Sequence, residues 1–376
     1  MRILHIDPDD MDNPVSGGGP VRTFEICRRL VRNGHEVTVL TPTFPGSTPE
    51  KEREGIRYIR VGRRIGDHGS SHHLTFFFQV ASQLRHFPHD LLIEDFMPPM
   101  GPTFNPWFAR EPLVASIQWF SPDAWQRQFK LPFVVGQKLL MANYDNFVVL
   151  TEQMEKQVRQ ARPRAAIRTI PNAVSEDYFT TVPSYGDFIL YVGRVDPRDK
   201  GVDMLLDAYA RIPAAARIPL VIAGHGWEFD QFRHQAVALG IEREVSFLGK
   251  TPIEETRQLF ATCRFACVPS RVETFGIVII EAQAAAKSVV LFDRWPMNEV
   301  AQRGGCEIVP AFDVDAYANA MLRLLNESVD ELGQRGEVNR RFARQYDWTA
   351  SARAQESFYR EVLQREARGV RMREEE

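Results

Sequence analysis

Phe188-Ile189-Leu190-Tyr191-Val192, running into Gly193-Arg194, decides the fold. Five apolar residues stopped by a glycine form a short strand buried on both faces. Leu205, Leu206, Ala208 and Tyr209 then recur at helical spacing, and Pro219-Leu220-Val221-Ile222-Ala223 is a second apolar run. Strand, helix and strand of these lengths predict a right-handed βαβ crossover in a parallel sheet. The start of the chain repeats the pattern. An apolar run at 2–6 leads into a loop containing Gly17-Gly18-Gly19-Pro20. A helical face follows through Phe24, Ile26, Cys27, Leu30 and Val31, stopped at Asn33-Gly34, and His35–Leu40 is the next strand. The expected fold is therefore α/β, with two facing Rossmann-like, doubly wound domains. Ligands of such sheets bind beyond the carboxyl ends of the strands, which predicts an interdomain cleft as the site. The expected domains are residues 1–172 and 173–350, joined near Pro171–Pro183. A C-terminal helix over 351–376 is expected to pack back on the first domain.

Composition narrows the function. The 376 residues are 44% hydrophobic and 25% charged, which excludes a disordered chain or a coiled coil and suits two domains. Net charge is −3 without a basic tail, so nucleic acid is not an expected partner. Residues 1–170 carry 21 Lys and Arg against 18 Asp and Glu, and the remainder 25 against 31, so the halves differ in sign. Cys27, Cys263, Cys267 and Cys306 fit neither a disulfide framework nor a zinc pattern. No apolar stretch approaches the roughly 20 residues of a membrane span. The opening run is also too short for a signal peptide, so a cytoplasmic location is expected.

The densest chemistry lies in Pro269-Ser270-Arg271-Val272-Glu273-Thr274-Phe275-Gly276, followed by the apolar helix pattern of 276–286. Glu281 sits in the middle of that helix with Ile277, Val278, Ala284 and Ala285 around it and no basic neighbour. A buried carboxylate without a partner is costly, so it should hold ligand hydroxyls or a distant cation. Glu273 precedes the helix, beside free amides that form an anion site with the helix dipole. A second cluster, Gly193-Arg194-Val195-Asp196 with Lys200-Gly201, follows the strand at 188–192. Arginine offers a fork and lysine a compact charge to phosphate oxygens. A solvated charged turn is the bland alternative. A nicotinamide or flavin cofactor is disfavoured, because Gly224-His225-Gly226 continues to Phe229 where the dinucleotide fingerprint needs a third glycine. Asp7-Pro8-Asp9 and Asp313-Val314-Asp315 match a metal-binding Asp-x-Asp, a pattern short enough to arise by chance. Glu94-Asp95 ends another strand and is expected to face an acceptor. Residues 74–133 are rich in aromatics, including the Phe76–Phe78 triplet, Trp119 and Trp125. The triplet reads best as core. For the two tryptophans, acceptor contact and core packing both stay open.

Together, Gly193-Arg194, Lys200-Gly201, the Glu273-x7-Glu281 pair, Gly17-Gly18, Ile170-Pro171-Asn172-Ala173-Val174 and Glu299-Val300 resemble the retaining glycosyltransferases of family four, from residue 1 to about 350. The resemblance implies the GT-B fold and transfer of a sugar from a nucleotide-diphosphate donor, with retention and without a metal or other cofactor. It implies that Arg194 and Lys200 bind the diphosphate, that Glu273 contacts the moving sugar and that Glu281 binds ribose. Gly17, Gly18, Gln118, Gly193, Thr274, Phe275, Gly276 and Glu299 complete the implied donor site. Glu94, Asp95, Trp119 and Trp125 are the acceptor candidates. Gln118 departs from the histidine common in the family, which removes a charge change near neutral pH. Ala286 stands where the family has glycine. The acceptor is expected to be a glycan, a lipid-linked molecule or a small molecule, with peripheral membrane contact compatible with the basic, aromatic first half. A nucleotide-sugar epimerase of the same fold and a degenerate nucleotide-sugar-binding module are the competing readings.

Overall fold

The computed structural model describes residues 1–13, 16, 18–62, 71–96, 101–118, 126, 130, 132–196, 199–226 and 229–374. Gly17, Trp119 and Trp125 lie outside the described residues. The chain divides into two compact units, Met1–Asn172 with Trp348–Glu376, and Ala173–Asp347.

The first unit holds an eight-stranded sheet: β1 (Arg2–Ile6), β2 (Glu36–Pro42), β3 (Glu50–Arg53), β4 (Ile56–Val61), β5 (Leu91–Asp95), β6 (Leu113–Ile117), β7 (Asn146–Val149) and β8 (Ala166–Thr169). Their order is β3-β4-β2-β1-β5-β6-β7-β8, and only β3 is antiparallel to its neighbour. Helices α1 (Gly19–Arg32), α2 (Ser71–Gln83), α3 (Phe133–Met141) and α4 (Glu152–Ala161) connect the strands. Leu4, Ile6, Leu40, Val61, Phe76, Val80, Leu84 and Leu92 form one core beneath α2. The strand order turns back between β1 and β5, so the loops after these strands flank the switch point where such sheets bind ligands.

The second unit is a six-stranded, wholly parallel sheet: β9 (Ile189–Val192), β10 (Leu220–Ala223), β11 (Val245–Gly249), β12 (Phe265–Val268), β13 (Val289–Phe292) and β14 (Glu307–Val309), ordered β11-β10-β9-β12-β13-β14. Its helices are α5 (Glu176–Phe179), α6 (Val202–Arg211), α7 (Phe229–Ala238), α8 (Ile253–Thr262), α9 (Ile277–Ala284), α10 (Met297–Val300), α11 (Val314–Asn326) and α12 (Val329–Ala343). The switch point lies between β9 and β12. Helix α9 buries Ile279, Ile280, Ala282 and Ala284, as its apolar pattern requires. It ends on Ala286 at φ 57°, and Lys287 N donates to Ala282 O at 2.9 Å. A left-handed residue after the last turn explains why glycine would suit position 286.

The last helix, α13 (Trp348–Glu374), starts three residues before the expected boundary at 351 and groups with the first unit, where it packs on α1. Buried Arg22 of α1 donates to Gln355 Oε1 of α13 (2.9 Å), Pro171 O (3.0 Å) and Asn172 Oδ1 (3.1 Å). The segment expected as a linker holds α5, whose Tyr178 is buried in the second unit.

Candidate functional site

In the second unit, the loops after β9 and β12 carry the candidate phosphate groups to the switch point. Strands β9 and β12 pair only through Phe265↔Ile189 and Ala266↔Leu190, so the sheet opens before either loop begins. Across that gap Lys200 Nζ donates to Glu273 Oε1 at 2.6 Å, and Ser270 Oγ donates to the same oxygen at 2.8 Å. Arg271 forks onto Asp203 in the first turn of α6, at 2.7 and 2.5 Å. Its backbone N–H, with that of Val272, donates to Asp199 O at 2.7 and 3.0 Å. Gly201, at φ 65°, begins α6, and any side chain there would run into the carbonyl of Pro269.

Arg194 is the more exposed cation, with Asp196 at 3.5 Å and Asp199 at 3.6 Å. Its carbonyl accepts from the buried Tyr191 hydroxyl at 2.5 Å. Gly193 stands beside it in the same turn, its N–H bonded to Ala223 O at 3.0 Å. Thr274 is exposed, whereas the Phe275 ring is buried and meets Tyr346 edge to face at 5.9 Å. Phe275 therefore offers the site only its backbone. The N–H groups of Thr274, Phe275 and Gly276 donate to no described residue and precede α9, an arrangement suited to an anion.

Glu281 lies one side of α9, part-buried, and makes no ion pair with a described residue. Burial pushes its carboxyl up to about 7, with the Tyr178 hydroxyl pulling the other way. A carboxyl this poorly solvated, with only a neutral partner, suits sugar hydroxyls better than a structural cation. Glu299 is exposed in the first turn of α10.

In the first unit, Gly18 caps α1 and Gln118 directly follows β6. Gln118 Nε2 donates to Asp95 Oδ2 at 2.7 Å, and Thr23 Oγ1 donates to that oxygen at 3.1 Å. His5 Nε2 lies 3.2 Å from it. Burial opposes the Asp95 charge, but His5 and Arg22 hold its carboxyl below the usual carboxylate range. Burial and the Asp95 charge push neighbouring Asp7 well above that range. Both acceptor candidates at the end of β5 are fully buried, because β5 is a central strand. Glu94 accepts from the Tyr144 hydroxyl at 3.0 Å and is pushed up to about 7 by burial. Phe78, in the triplet read as core, is 64% exposed.

Ser270, Asp203, Tyr178 and Tyr191 are site neighbours that the sequence did not single out. Only Ser270 carried a usable signal, three residues before Glu273. Among the described residues no group of three or more His, Cys, Asp or Glu could hold a metal ion, and all four cysteines are buried and free. Among the described residues no helix is long and apolar enough to cross a membrane.

Two family models match the chain: Glycosyltransferase Family 4 over residues 16–178, and Glycosyl transferases group 1 over residues 180–344. The phosphatidyl-myo-inositol mannosyltransferase of Mycobacterium leprae is 28% identical over 371 residues, covering 94% of each chain. Among solved structures, sucrose-phosphate synthase from Thermosynechococcus elongatus superposes with a TM-score of 0.82 at 20% identity, over 96% of this chain and 99% of that one. Anabaena HepE in complex with UDP-glucose gives 0.71 at 18% identity, over 98% and 99%.

Proposed function

The chain belongs to the group 1, family-four glycosyl transferases, retaining enzymes that use nucleotide-sugar donors, and within that family we propose that it transfers a hexose, mannose first among candidates, to a lipid-linked acceptor. The observation that carries the donor site is the Lys200–Glu273 pair at 2.6 Å, set at the switch point of a parallel sheet beside amides that donate to no described residue. Mannose and a lipid acceptor are suggested by the M. leprae relative, named for mannosyl transfer to phosphatidyl-myo-inositol.

In this reading Arg194, Lys200 and the amides of residues 274–276 bind the diphosphate. Gly193 permits the close approach, Glu281 takes ribose hydroxyls and Glu299 lies towards the nucleotide. Gly17, Gly18 and Gln118 are assigned to the donor by the resemblance alone. Asp95 is assigned the orientation of Gln118: an ionised carboxylate only accepts, so the amide N–H of Gln118 faces it and the carbonyl is left for a sugar hydroxyl. Glu94, next to Asp95 at the end of β5, is assigned to holding that strand end through Tyr144, and Trp119 and Trp125 remain acceptor candidates.

Breaking the bond from C1 to the diphosphate develops positive charge on the sugar and negative charge on the leaving group. Fixed cations and amides stabilise the latter without reorganising. Glu273 is already engaged by Lys200 and Ser270, which disfavours it as a covalent nucleophile. The acceptor oxygen attacks C1 on the face that the phosphate leaves, and its proton passes to the departing phosphate oxygen. No metal takes part in this scheme.

An exposed surface of the first unit supports a membrane-borne acceptor. Phe78 and Trp107 stand out at 64% and 60% exposure and are linked through Phe77 and Phe104, whose rings meet edge to face. Exposed Arg85 and Arg110 continue the same two segments. Aromatic rings with flanking cations fit an anionic lipid surface. The test is thermal stabilisation by nucleotide sugars varied in base and hexose, followed by transfer to phosphatidylinositol in vesicles. Stabilisation by a mannose donor and an α-linked lipid product is expected. Trapping of a covalent glycosyl-enzyme would defeat the mechanism, and transfer only to soluble acceptors would defeat the lipid assignment.

A further inference from the structure

We infer that Asp203 and Arg271 are positioning residues of the donor site, their bridge fixing the spacing between Lys200 and Glu273. The inference rests on the assignment of those two residues to the donor. Backbone pairing between β9 and β12 ends at Leu190 and Ala266. Beyond it the sheet supplies nothing to hold Lys200, ten residues past Leu190, against Glu273, seven past Ala266. The loops are tied instead by contacts outside the sheet. Asp199 O accepts from the N–H groups of Arg271 and Val272, and Gly201 packs on the carbonyl of Pro269.

Besides Lys200–Glu273 itself, the Arg271–Asp203 fork ties the loop after β12 by side chains to the first turn of α6, which the loop after β9 leads into. Asp203 stands three residues after Lys200, and Arg271 two before Glu273. The fork is therefore lodged at the root of both catalytic-site side chains. Bidentate guanidinium–carboxylate geometry fixes direction as well as distance, which a lysine at 271 could not do. The pair is 29% exposed on each side, so its contribution to global stability should be small. Its effect should fall on donor use, where misplacement by about 1 Å costs up to roughly 100-fold.

The experiment is a double-mutant cycle on the full chain with Asp203→Asn, Arg271→Gln and the double variant, reading donor kcat/KM, acceptor KM and thermal midpoint. Each single variant is expected to lose about 10- to 100-fold in donor kcat/KM with acceptor KM unchanged. The double variant should lose no more than either single, because one substitution already opens the bridge. Arg271→Lys should fall between wild type and Arg271→Gln. Single variants with normal donor kinetics overturn the inference. So do losses that multiply in the double variant, or a lowered thermal midpoint with unchanged donor KM and kcat. Lys200→Ala is measured alongside: if it keeps a normal rate, the donor assignment fails and takes the inference with it. If Lys200→Ala is inactive while both bridge variants are normal, the inference alone fails.

Discussion

Lys200 and Glu273, 73 residues apart, share a 2.6 Å hydrogen bond although the strands that deliver them have already separated. A cation and an anion thus wait together where the diphosphate and sugar are proposed to bind. Glu273→Ala and Lys200→Ala should each lower kcat by about 100-fold or more, the scale of removing one preorganised stabilising group. Their thermal midpoints should stay close to wild type, since each residue lies on a loop. Steady-state kinetics on both variants, with circular dichroism as the folding control, decides the point.

Glu281 gives a pH signature. Burial raises its carboxyl from 4.5 in the unfolded chain to about 7. The folded state therefore holds the proton more tightly, and stability falls as pH climbs from about 4.5 to about 7. Glu281→Gln cannot ionise, so its thermal midpoint should gain on wild type across that window and then level off. Donor affinity of wild type should rise through the same range, as the carboxylate becomes the better acceptor for ribose hydroxyls. The variant should bind more weakly and without that slope, measured by calorimetric titration.

Arg22 is buried among three neutral acceptors on two segments, Pro171-Asn172 and Gln355. Arg22→Ala leaves those acceptors unpaired and opens a gap between α1 and α13. It should cost about 2–4 kcal/mol in urea unfolding. An unchanged midpoint would show that water replaces the guanidinium without penalty.

The exposed rings of Phe78 and Trp107 predict vesicle binding that depends on anionic lipid. Replacing both with serine should weaken sedimentation with phosphatidylglycerol vesicles about tenfold or more. Arg85→Gln with Arg110→Gln should weaken it in a salt-dependent manner. Equal binding by wild type and the serine variant would remove this surface from the acceptor scheme.

The fold was legible where an apolar run led into a glycine-bearing loop, as at Phe188–Gly193 and at residues 2–6 ahead of Gly17-Gly18-Gly19. Strand order was not, because β5 comes to lie beside β1 through pairing between residues far apart in sequence. That order explains the burial of Glu94 and Asp95: they end a strand, but a central one. The Glu273–Glu281 spacing is what pointed to the proposed donor site. Asp203 escaped notice because its partner is 68 residues away and a lone aspartate early in a helix reads as a dipole partner. Tyr178 was hidden in a segment whose prolines and polar residues read as linker. Phe78 shows the limit of pattern in a triplet, where two rings serve the core and the third cannot turn the same way on a helix.

The second unit enters at Ala173 and leaves at Asp347, and a parallel bridge joins Val174 to Asp347. Topologically it is an insertion whose two ends meet. Cutting the gene after residue 172 would discard α13, and with it the Gln355 partner of Arg22. A shorter protein made by joining residue 172 to 348 through a few glycines would keep that partner. Because the ends already touch, closing such a loop costs little chain entropy. The nested unit is thus the part of this enzyme that recombination could exchange whole, carrying the loops after β9 and β12 with it.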